Sequence, residues 1–336
     1  MTGHPERPHL EDEPVLFIHA GSHKTGTTAI QQTLGAARGE LRRQGICWPR
    51  LGSNPVHHKL VQSLHDQGLL ARLNAGWMAR RVRRQSQGCR ATVLSSERLY
   101  RIGYELIGNE PRDSDARRRR RSEVLGRLRA LFVEDFDIRV ILYLRRVDLF
   151  AESMFKELLF RKDYRGRYPF ARFLEEQDAL FRYDARIREF EDCLGPVSVH
   201  AYDALKGTGV VPHFFSLIGA TPPGTAASDA RVRRSASNAG AWFLLQLAQQ
   251  RDLSPSDRRR VLEFCLSDAW PEPPDAPRSL WPSATEHSAF LDTYRSATLE
   301  PLLTAVDAGP LEYGPLPAAQ FARCLEAWEG WSRSGA

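Results

Sequence analysis

The chain has 336 residues, of which 42% are hydrophobic and 26% are charged, and its formal net charge is +6. This length and composition are typical of a globular protein with a large core, and the apolar runs are far shorter than the about 18 residues of a membrane span. Residues 1–13 form a polar tail without the basic start and apolar stretch of a secretory signal. We therefore expect a cytoplasmic protein without a transmembrane segment.

The cysteines and histidines do not form the clusters that bind metals. The sequence separates its five cysteines widely, which predicts reduced structural thiols. His57 and His58 are adjacent, so they point in different directions from a helix, and no nearby cysteine or carboxylate completes a ligand set. No metal site is expected.

Apolar runs alternate with helical patterns, which predicts an α/β fold with a parallel sheet flanked by helices. Strands are predicted at 15–19, 91–95, 138–144 and 197–202. Helices are predicted at 26–44, 57–73, 117–134, 147–162, 179–194 and 210–218. After residue 218 the apolar pattern is wholly helical, with Ser237 or Asn238 as a helix cap. We expect one domain at 14–330, with its core at 14–220 and a helical extension at 221–330.

The first strand leads into a loop suited to an anion. Val15 and its three apolar successors predict a buried central strand, and a Gly/Ser/Lys/Thr turn follows. Gly21 and Gly26 permit close backbone approaches, while Thr27 and Thr28 stand where a helix begins. A helix start carries unpaired N–H groups and about half a positive charge, so the pattern predicts a phosphate-binding loop.

The position of the loop lysine distinguishes two kinds of phosphate loop. In the nucleotide triphosphatase pattern GxxxxGK[ST], the lysine directly follows the second glycine. Here Thr27 occupies that position, and Lys24 lies two residues before Gly26. The pattern therefore argues against a triphosphatase loop.

Glu97 follows the second predicted strand. Ligands of open parallel sheets lie beyond the carboxyl ends of the strands, which makes this carboxylate a candidate general base. It could equally form a structural ion pair with Arg98. His23, His57 and His58 are the other candidate bases, because an imidazole has a suitable pKa.

Residues 117–121 are five consecutive arginines. They could bind an anionic polymer, or they could be the solvated first turns of a helix. No aromatic interleaving or nucleic-acid-binding module accompanies them, so we expect no nucleic-acid partner.

Two arginines, Arg145 and Arg146, directly follow the third predicted strand, at 138–144. Arg145 could hold a phosphate bidentately, and Ser153 on the next helix could add a donor. Arg146 could substitute or assist. The segment predicts a second phosphate contact on the same sheet edge.

The two phosphate segments together resemble those of the sulfotransferase family. HKTGTT is similar to that family's 5′-phosphosulfate loop, and Arg145 with Ser153 is similar to the pair that holds the 3′-phosphate. The resemblance spans residues 15–219. The chain lacks the proline before the loop lysine and the Asn-Pro after the arginine that mark the cytosolic branch. It therefore resembles the bacterial and glycan-modifying branches more closely.

The resemblance implies a three-layer P-loop-like fold and transfer of a sulfuryl group from 3′-phosphoadenosine 5′-phosphosulfate (PAPS) to an acceptor hydroxyl, with a glycan favoured. Lys24 would neutralise the leaving oxygen, Glu97 would take the acceptor's proton, and no metal is needed. The implied donor-binding residues are Ser22, His23, Lys24, Thr25, Gly26, Thr27, Thr28, Arg145 and Ser153.

Two other functions stay open. A kinase or NTPase could use a variant loop for a triphosphate, although such enzymes need an acidic residue for Mg²⁺ where this chain has arginines. A non-catalytic binder of anionic polymers would explain the arginine run but leaves both phosphate segments unexplained. The sequence does not identify the acceptor or the oligomeric state.

Overall fold

A computed structural model describes most of the chain. The described residues are 13–22, 25–52, 56–66, 68–102, 114–159, 169–205, 207–223, 236–272, 278–295 and 311–333.

Five parallel strands form one sheet. They are β1 (Val15–His19), β2 (Ile46–Cys47), β3 (Ala91–Ser95), β4 (Asp137–Leu144) and β5 (Val197–Ala201), in the order β2-β3-β1-β4-β5. Val15 pairs with Ala91 on one side and with Asp137 on the other, so β1 is central. The chain builds one side of the sheet before crossing β1 to build the other. This reversal predicts a ligand crevice at the carboxyl end of β1.

Helices cover the sheet and continue beyond it. Between β1 and β4 lie α1 (Thr27–Ala36), α2 (Arg38–Arg43), α3 (His58–His65), α4 (Leu69–Ser86), α5 (Arg98–Arg101) and α6 (Ser114–Phe132). After β4 come α7 (Val147–Leu159), α8 (Phe170–Glu176), α9 (Asp178–Phe181) and α10 (Tyr183–Leu194). A 3₁₀ turn (Asp203–Leu205) and α11 (Val210–Leu217) follow β5. The C-terminal third contains α12 (Asn238–Gln250), α13 (Pro255–Cys265), α14 (Ala284–Thr293) and α15 (Ala318–Arg333).

Alternation along β1 divides the core into two layers. Leu16 and Ile18 point to the face covered by α3, α4, α6, α7 and α10. Val15 and Phe17 pack on the opposite face with α1, α2 and α11. Successive strand side chains point to opposite faces, so both faces of this central strand are apolar and covered.

The C-terminal helices extend the first of these layers. Phe243 of α12 and Phe264 of α13 belong to the same apolar cluster as Phe155 of α7. Within the described residues, no helix is both long and apolar enough to cross a membrane.

The predicted α/β sheet is confirmed, and each predicted strand lies within one residue of an observed one. The strand β2 was not predicted. The helix predicted at 26–44 is divided at Ala37 into α1 and α2. The prediction at 57–73 is wrong, because α3 ends at His65 and α4 runs on to Ser86. Ser237 caps α12 by accepting a hydrogen bond from the Gly240 N–H, as predicted.

Candidate anion-binding site

The loop after β1 stays attached to β4 beyond the end of the strand. The Ser22 N–H and hydroxyl both donate to the Tyr143 carbonyl, at 3.3 and 2.9 Å. The Thr25 hydroxyl donates to the Ser22 carbonyl at 2.6 Å. The hydroxyl protons of Ser22 and Thr25 are therefore used to shape the loop. His23 and Lys24, between them, lie outside the described residues, so their predicted roles stay predictions.

Gly26 brings the chain into α1 through a left-handed turn. Its φ is 72°, and a Cβ there would lie 2.6 Å from Val210 Cγ1. A residue with a side chain would be strained at this φ and would also collide with α11. Gly26 therefore sets the direction in which α1 starts.

The N-terminus of α1 is the positive end of the helix dipole, and it lacks a side-chain cap among the described residues. Its first turn also has no acidic residue. Thr28 is exposed there, whereas Thr27 is buried. The first-turn N–H groups of a helix have no intrahelical partner, so they can donate to an anion.

Two buried polar atoms face this end of the loop without a partner. His19 is fully buried and Thr27 is 3% exposed, yet neither His19 Nε2 nor Thr27 Oγ1 has a hydrogen-bond partner among the described residues. A Cβ on Gly21 would lie 2.8 Å from His19 Nε2 and 3.1 Å from Thr27 Oγ1. Both atoms therefore border the space that Gly21 leaves open. Buried polar atoms without partners are uncommon, and a bound water or an anion at this point would pair them.

His19 is neutral near pH 7, and one of its two tautomers presents a donor to this space. Burial lowers its pKa to about 3, so the ring is neutral near pH 7. Gln31 donates to Ser95 Oγ at 3.0 Å, and Ser95 Oγ lies 2.9 Å from His19 Nδ1. The Ser95 oxygen can accept from Gln31 while its hydroxyl donates to Nδ1, and in that tautomer the His19 proton is on Nε2. A Ser95 oxygen that accepts from both groups would instead make Nε2 an acceptor. His19 was not predicted as a site residue, and its only signal in the sequence is its place as the last residue of the strand at 15–19.

Arg145 lies at the end of β4, next to β1. Its Nε is 3.4 Å from Asp203 Oδ1, and its side chain is 23% exposed. Asp203 Oδ2 also accepts the Arg146 N–H at 3.1 Å, and the Tyr183 hydroxyl donates to the Arg145 carbonyl at 2.8 Å. These bonds fix the turn, while the Arg145 side chain as a whole stays partly exposed.

Ser153 and Arg146 differ from Arg145 in their surroundings. Ser153 is 6% exposed on α7, and within the described residues no hydrogen bond joins its side chain to Arg145. Arg146 donates two hydrogen bonds of 2.7 Å to Asp148. Burial alone would raise the Asp148 pKa, but hydrogen bonds from His287 and Arg146 lower it to about 2. Arg146 is thus committed to a buried ion pair, which leaves it poorly placed to assist Arg145.

The candidate bases divide into a pair and a structural residue. His58 Nε2 lies 3.9 Å from Glu97 Oε1, and His58 Nδ1 lies 2.8 Å from Ser96 Oγ. His57 instead accepts from the Ser95 N–H at 3.0 Å, and its Nε2 lies 2.9 Å from the Pro49 carbonyl. Burial lowers the His57 pKa to about 4. With both ring nitrogens engaged, His57 is part of the fold, while His58 and Glu97 remain together beyond β3.

The arginine run is neither a uniform solvated face nor an open basic patch. Arg121 is fully buried, pairs with Glu189 at 2.7 Å and donates to the Tyr100 carbonyl at 2.7 Å. Arg117 and Arg120 donate to carbonyls of neighbouring elements. Much of the run therefore packs α6 onto its neighbours.

No match to this chain is found among protein families, curated proteins or solved structures. The residues of the site therefore carry the functional argument. They combine an uncapped helix start, two buried unpartnered polar atoms, a partly exposed arginine and a carboxylate–histidine pair. All lie at or just beyond the carboxyl ends of the adjacent strands β3, β1 and β4, which favours an anionic ligand and a proton transfer at one edge of the sheet.

Proposed function

We propose that the protein is a sulfotransferase with a P-loop-like fold, which transfers the sulfuryl group of PAPS to an acceptor hydroxyl. The observation that supports this most directly is the pair of unpartnered atoms, His19 Nε2 and Thr27 Oγ1, at the uncapped start of α1. They fit an oxyanion of the donor's 5′-phosphosulfate. Arg145 at the end of the adjacent strand supplies a separate fork for the 3′-phosphate.

In this mechanism the residues hold charge and move one proton. The acceptor oxygen forms a bond to sulfur while the bond from sulfur to the 5′-phosphate oxygen breaks. The α1 N-terminus, Thr27 and the predicted Lys24 stabilise the charge that develops on that phosphate. Glu97, with His58 beside it, takes the proton from the acceptor hydroxyl. Adenosine 3′,5′-bisphosphate leaves, and no oxidant or metal is required.

The acceptor in this proposal is a carbohydrate hydroxyl. The resemblance to glycan-modifying sulfotransferases and the position of Glu97 support it. Lipids and small metabolites carry the same reactive group, so an acceptor screen with labelled PAPS would separate them.

Calorimetry with the full chain tests the donor. Adenosine 3′,5′-bisphosphate should bind more tightly than ATP with Mg²⁺, and Arg145→Ala should weaken bisphosphate binding by on the order of tenfold to a hundredfold, because charge-assisted hydrogen bonds are lost. The matched control is Arg139→Ala, which removes a 53% exposed arginine near the opposite end of β4.

Tighter binding of ATP with Mg²⁺ would replace this proposal with a kinase-like or NTPase function. Equal bisphosphate affinity in the Arg145 and Arg139 variants would remove Arg145 from the donor site.

A further inference from the structure

Helix α4 exposes an unusual apolar face. Leu69, Leu70, Leu73 and Trp77 are 53–77% exposed, and they are the large hydrophobic side chains that stand out as exposed in the described parts of the chain. All four lie within the first nine residues of one helix. Single exposed apolar residues are common, but a cluster of this kind marks an interaction surface.

This face lies opposite the side of α4 that packs on the protein. With 3.6 residues per turn, the four side chains span an arc of about 100°. The centre of that arc is about 180° from the centre of the buried stripe. That stripe consists of Ala75, Met78, Ala79, Val82 and Ser86. The outer apolar residues therefore do not contribute to the core, and folding does not explain them.

The same helix is strongly basic. It contains five arginines and no acidic residue. Arg83 pairs with Asp135, and the Arg81 guanidinium lies 5.3 Å from the centre of the Trp77 ring. Three further arginines are exposed and form no ion pair with the described residues, namely Arg72, Arg80 and Arg84. The outer face thus combines an apolar first half with a cationic flank.

The apolar half lies toward the candidate site. Helix α4 ends just before β3 begins, so it runs back along the sheet and starts near the carboxyl ends of the strands. The preceding helix, α3, starts at His58 beside Glu97 and spans about 12 Å. The apolar half of α4 therefore starts on the side of the sheet where the candidate residues lie.

We propose that the outer face of α4 docks on an anionic phospholipid bilayer. Leucine and tryptophan side chains insert at the level of the headgroups, and arginines pair with the lipid phosphates. Apolar contact and several cations together provide the two signals that stable membrane association needs. Pairing with a second copy through this face fits less well, because it would bring arginine-rich surfaces together without acidic partners. Docking would hold the candidate site close to acceptors at the membrane.

Vesicle sedimentation of the full chain tests this surface. The protein should bind vesicles of phosphatidylcholine with about 30% phosphatidylglycerol, lose that binding as salt is raised and bind pure phosphatidylcholine poorly. Leu70→Ser/Leu73→Ser/Trp77→Ser should lower the partition coefficient by on the order of tenfold to a hundredfold, because most of the inserted apolar area is lost.

The charge contribution has a matched control. Arg72→Gln/Arg80→Gln/Arg84→Gln should weaken binding to the anionic vesicles by roughly a hundredfold at low salt. Arg139→Gln/Arg182→Gln/Arg259→Gln changes the net charge equally at exposed arginines elsewhere and should bind like the wild type. Brominated lipids should quench wild-type tryptophan fluorescence, and Trp77→Phe should lose that quenching.

Equal vesicle binding by the wild type and the Leu70/Leu73/Trp77 variant would overturn the proposal. So would a vesicle-free dimer in sedimentation velocity that this variant dissociates, since it would assign the face to a second copy. Melting temperature and bisphosphate binding in the variants report folding and the proposed donor site separately.

Discussion

The buried carboxylates of α7 and the buried polar atoms of the loop after β1 differ in their hydrogen bonding. On α7, every carboxylate oxygen of Glu152 and Asp148 accepts a hydrogen bond. The donors to Glu152 are Asn238, Ser279 and the Leu280 N–H, and those to Asp148 are Arg146 and His287. In the loop after β1, His19 Nε2 and Thr27 Oγ1 have no partner in the described part of the chain.

The difference separates a structural role from a binding role. Leaving a buried polar group unpaired costs about 1–3 kcal/mol, so the pairing of all four carboxylate oxygens on α7 contrasts with the two unpaired atoms of the loop, which need a separate reason. The α7 cluster joins the C-terminal helices to the sheet layer. The loop cluster lies at a helix start, where a bound anion would supply the missing partners.

The largest expected effect is at Glu152. Glu152→Ala leaves three donors around a buried space, and we expect the free energy of unfolding to fall by about 3–5 kcal/mol. Urea unfolding followed by circular dichroism measures this loss. Glu263→Ala, which removes an exposed carboxylate paired with Arg259, should change the free energy by less than about 1 kcal/mol. A similar small change in both variants would contradict a structural role for the α7 cluster.

The next largest effect is expected at Gly26. Comparison with Gly88 separates the cost of a steric clash from the cost of a left-handed backbone. Gly26 and Gly88 both have φ of 72°, but a Cβ on Gly88 would meet no atom within 4 Å. Gly88→Ala should therefore cost about 1 kcal/mol. Gly26→Ala should cost about 2–4 kcal/mol, because the added Cβ also collides with the stiff Val210 side chain. Equal losses in urea unfolding would show that α11 does not constrain the loop.

The sequence predicts the sheet well where strands are buried on both faces. The runs that form β1, β3, β4 and β5 are continuous and apolar, which distinguishes them from amphipathic helices. The two residues of β2 are too short to give a pattern. The α3–α4 boundary was missed because Leu69, Leu70 and Leu73 continue the apolar pattern although they face outward.

For the site, the sequence predicts which segments meet but not how each side chain is used. Strand ends identify the loop, Glu97 and Arg145, since parallel strands bring their carboxyl ends to one edge. Pairing depends on tertiary structure instead. Arg121 looks solvated in the sequence yet is buried, and Arg146 is held by Asp148. His19 is hidden within a strand and is revealed only by its burial.

Two buried histidines should make the protein sensitive to acid. In the folded state the pKa of His19 is about 3 and that of His57 about 4, both below the value of 6.5 of an unfolded histidine. Below pH 6.5 the unfolded chain therefore binds more protons than the folded protein. The free energy of unfolding is full above this pH and decreases as the pH falls below it. Between pH 7 and about 5.5, each histidine should contribute a loss of about 1 kcal/mol.

Urea unfolding at several pH values measures this slope. His19→Gln and His57→Gln should each remove about half of the contribution from the pair, whatever they do to stability at neutral pH. A slope that neither substitution changes would mean that these rings are not kept neutral by burial.

The smallest effect gives the sharpest test of the two clusters. Thr27→Val keeps the shape of the side chain and removes its unpartnered hydroxyl, so it should raise the free energy of unfolding by about 1 kcal/mol. It should also weaken adenosine 3′,5′-bisphosphate binding by about tenfold, because a donor is lost. The control is Thr92→Val, since the buried Thr92 hydroxyl donates to Ser86 Oγ at 2.7 Å. That variant should lose about 1 kcal/mol of stability and bind the bisphosphate normally. A Thr27 variant that is less stable and binds normally would place this hydroxyl with the structural groups, and the start of α1 would lose its strongest sign of a ligand.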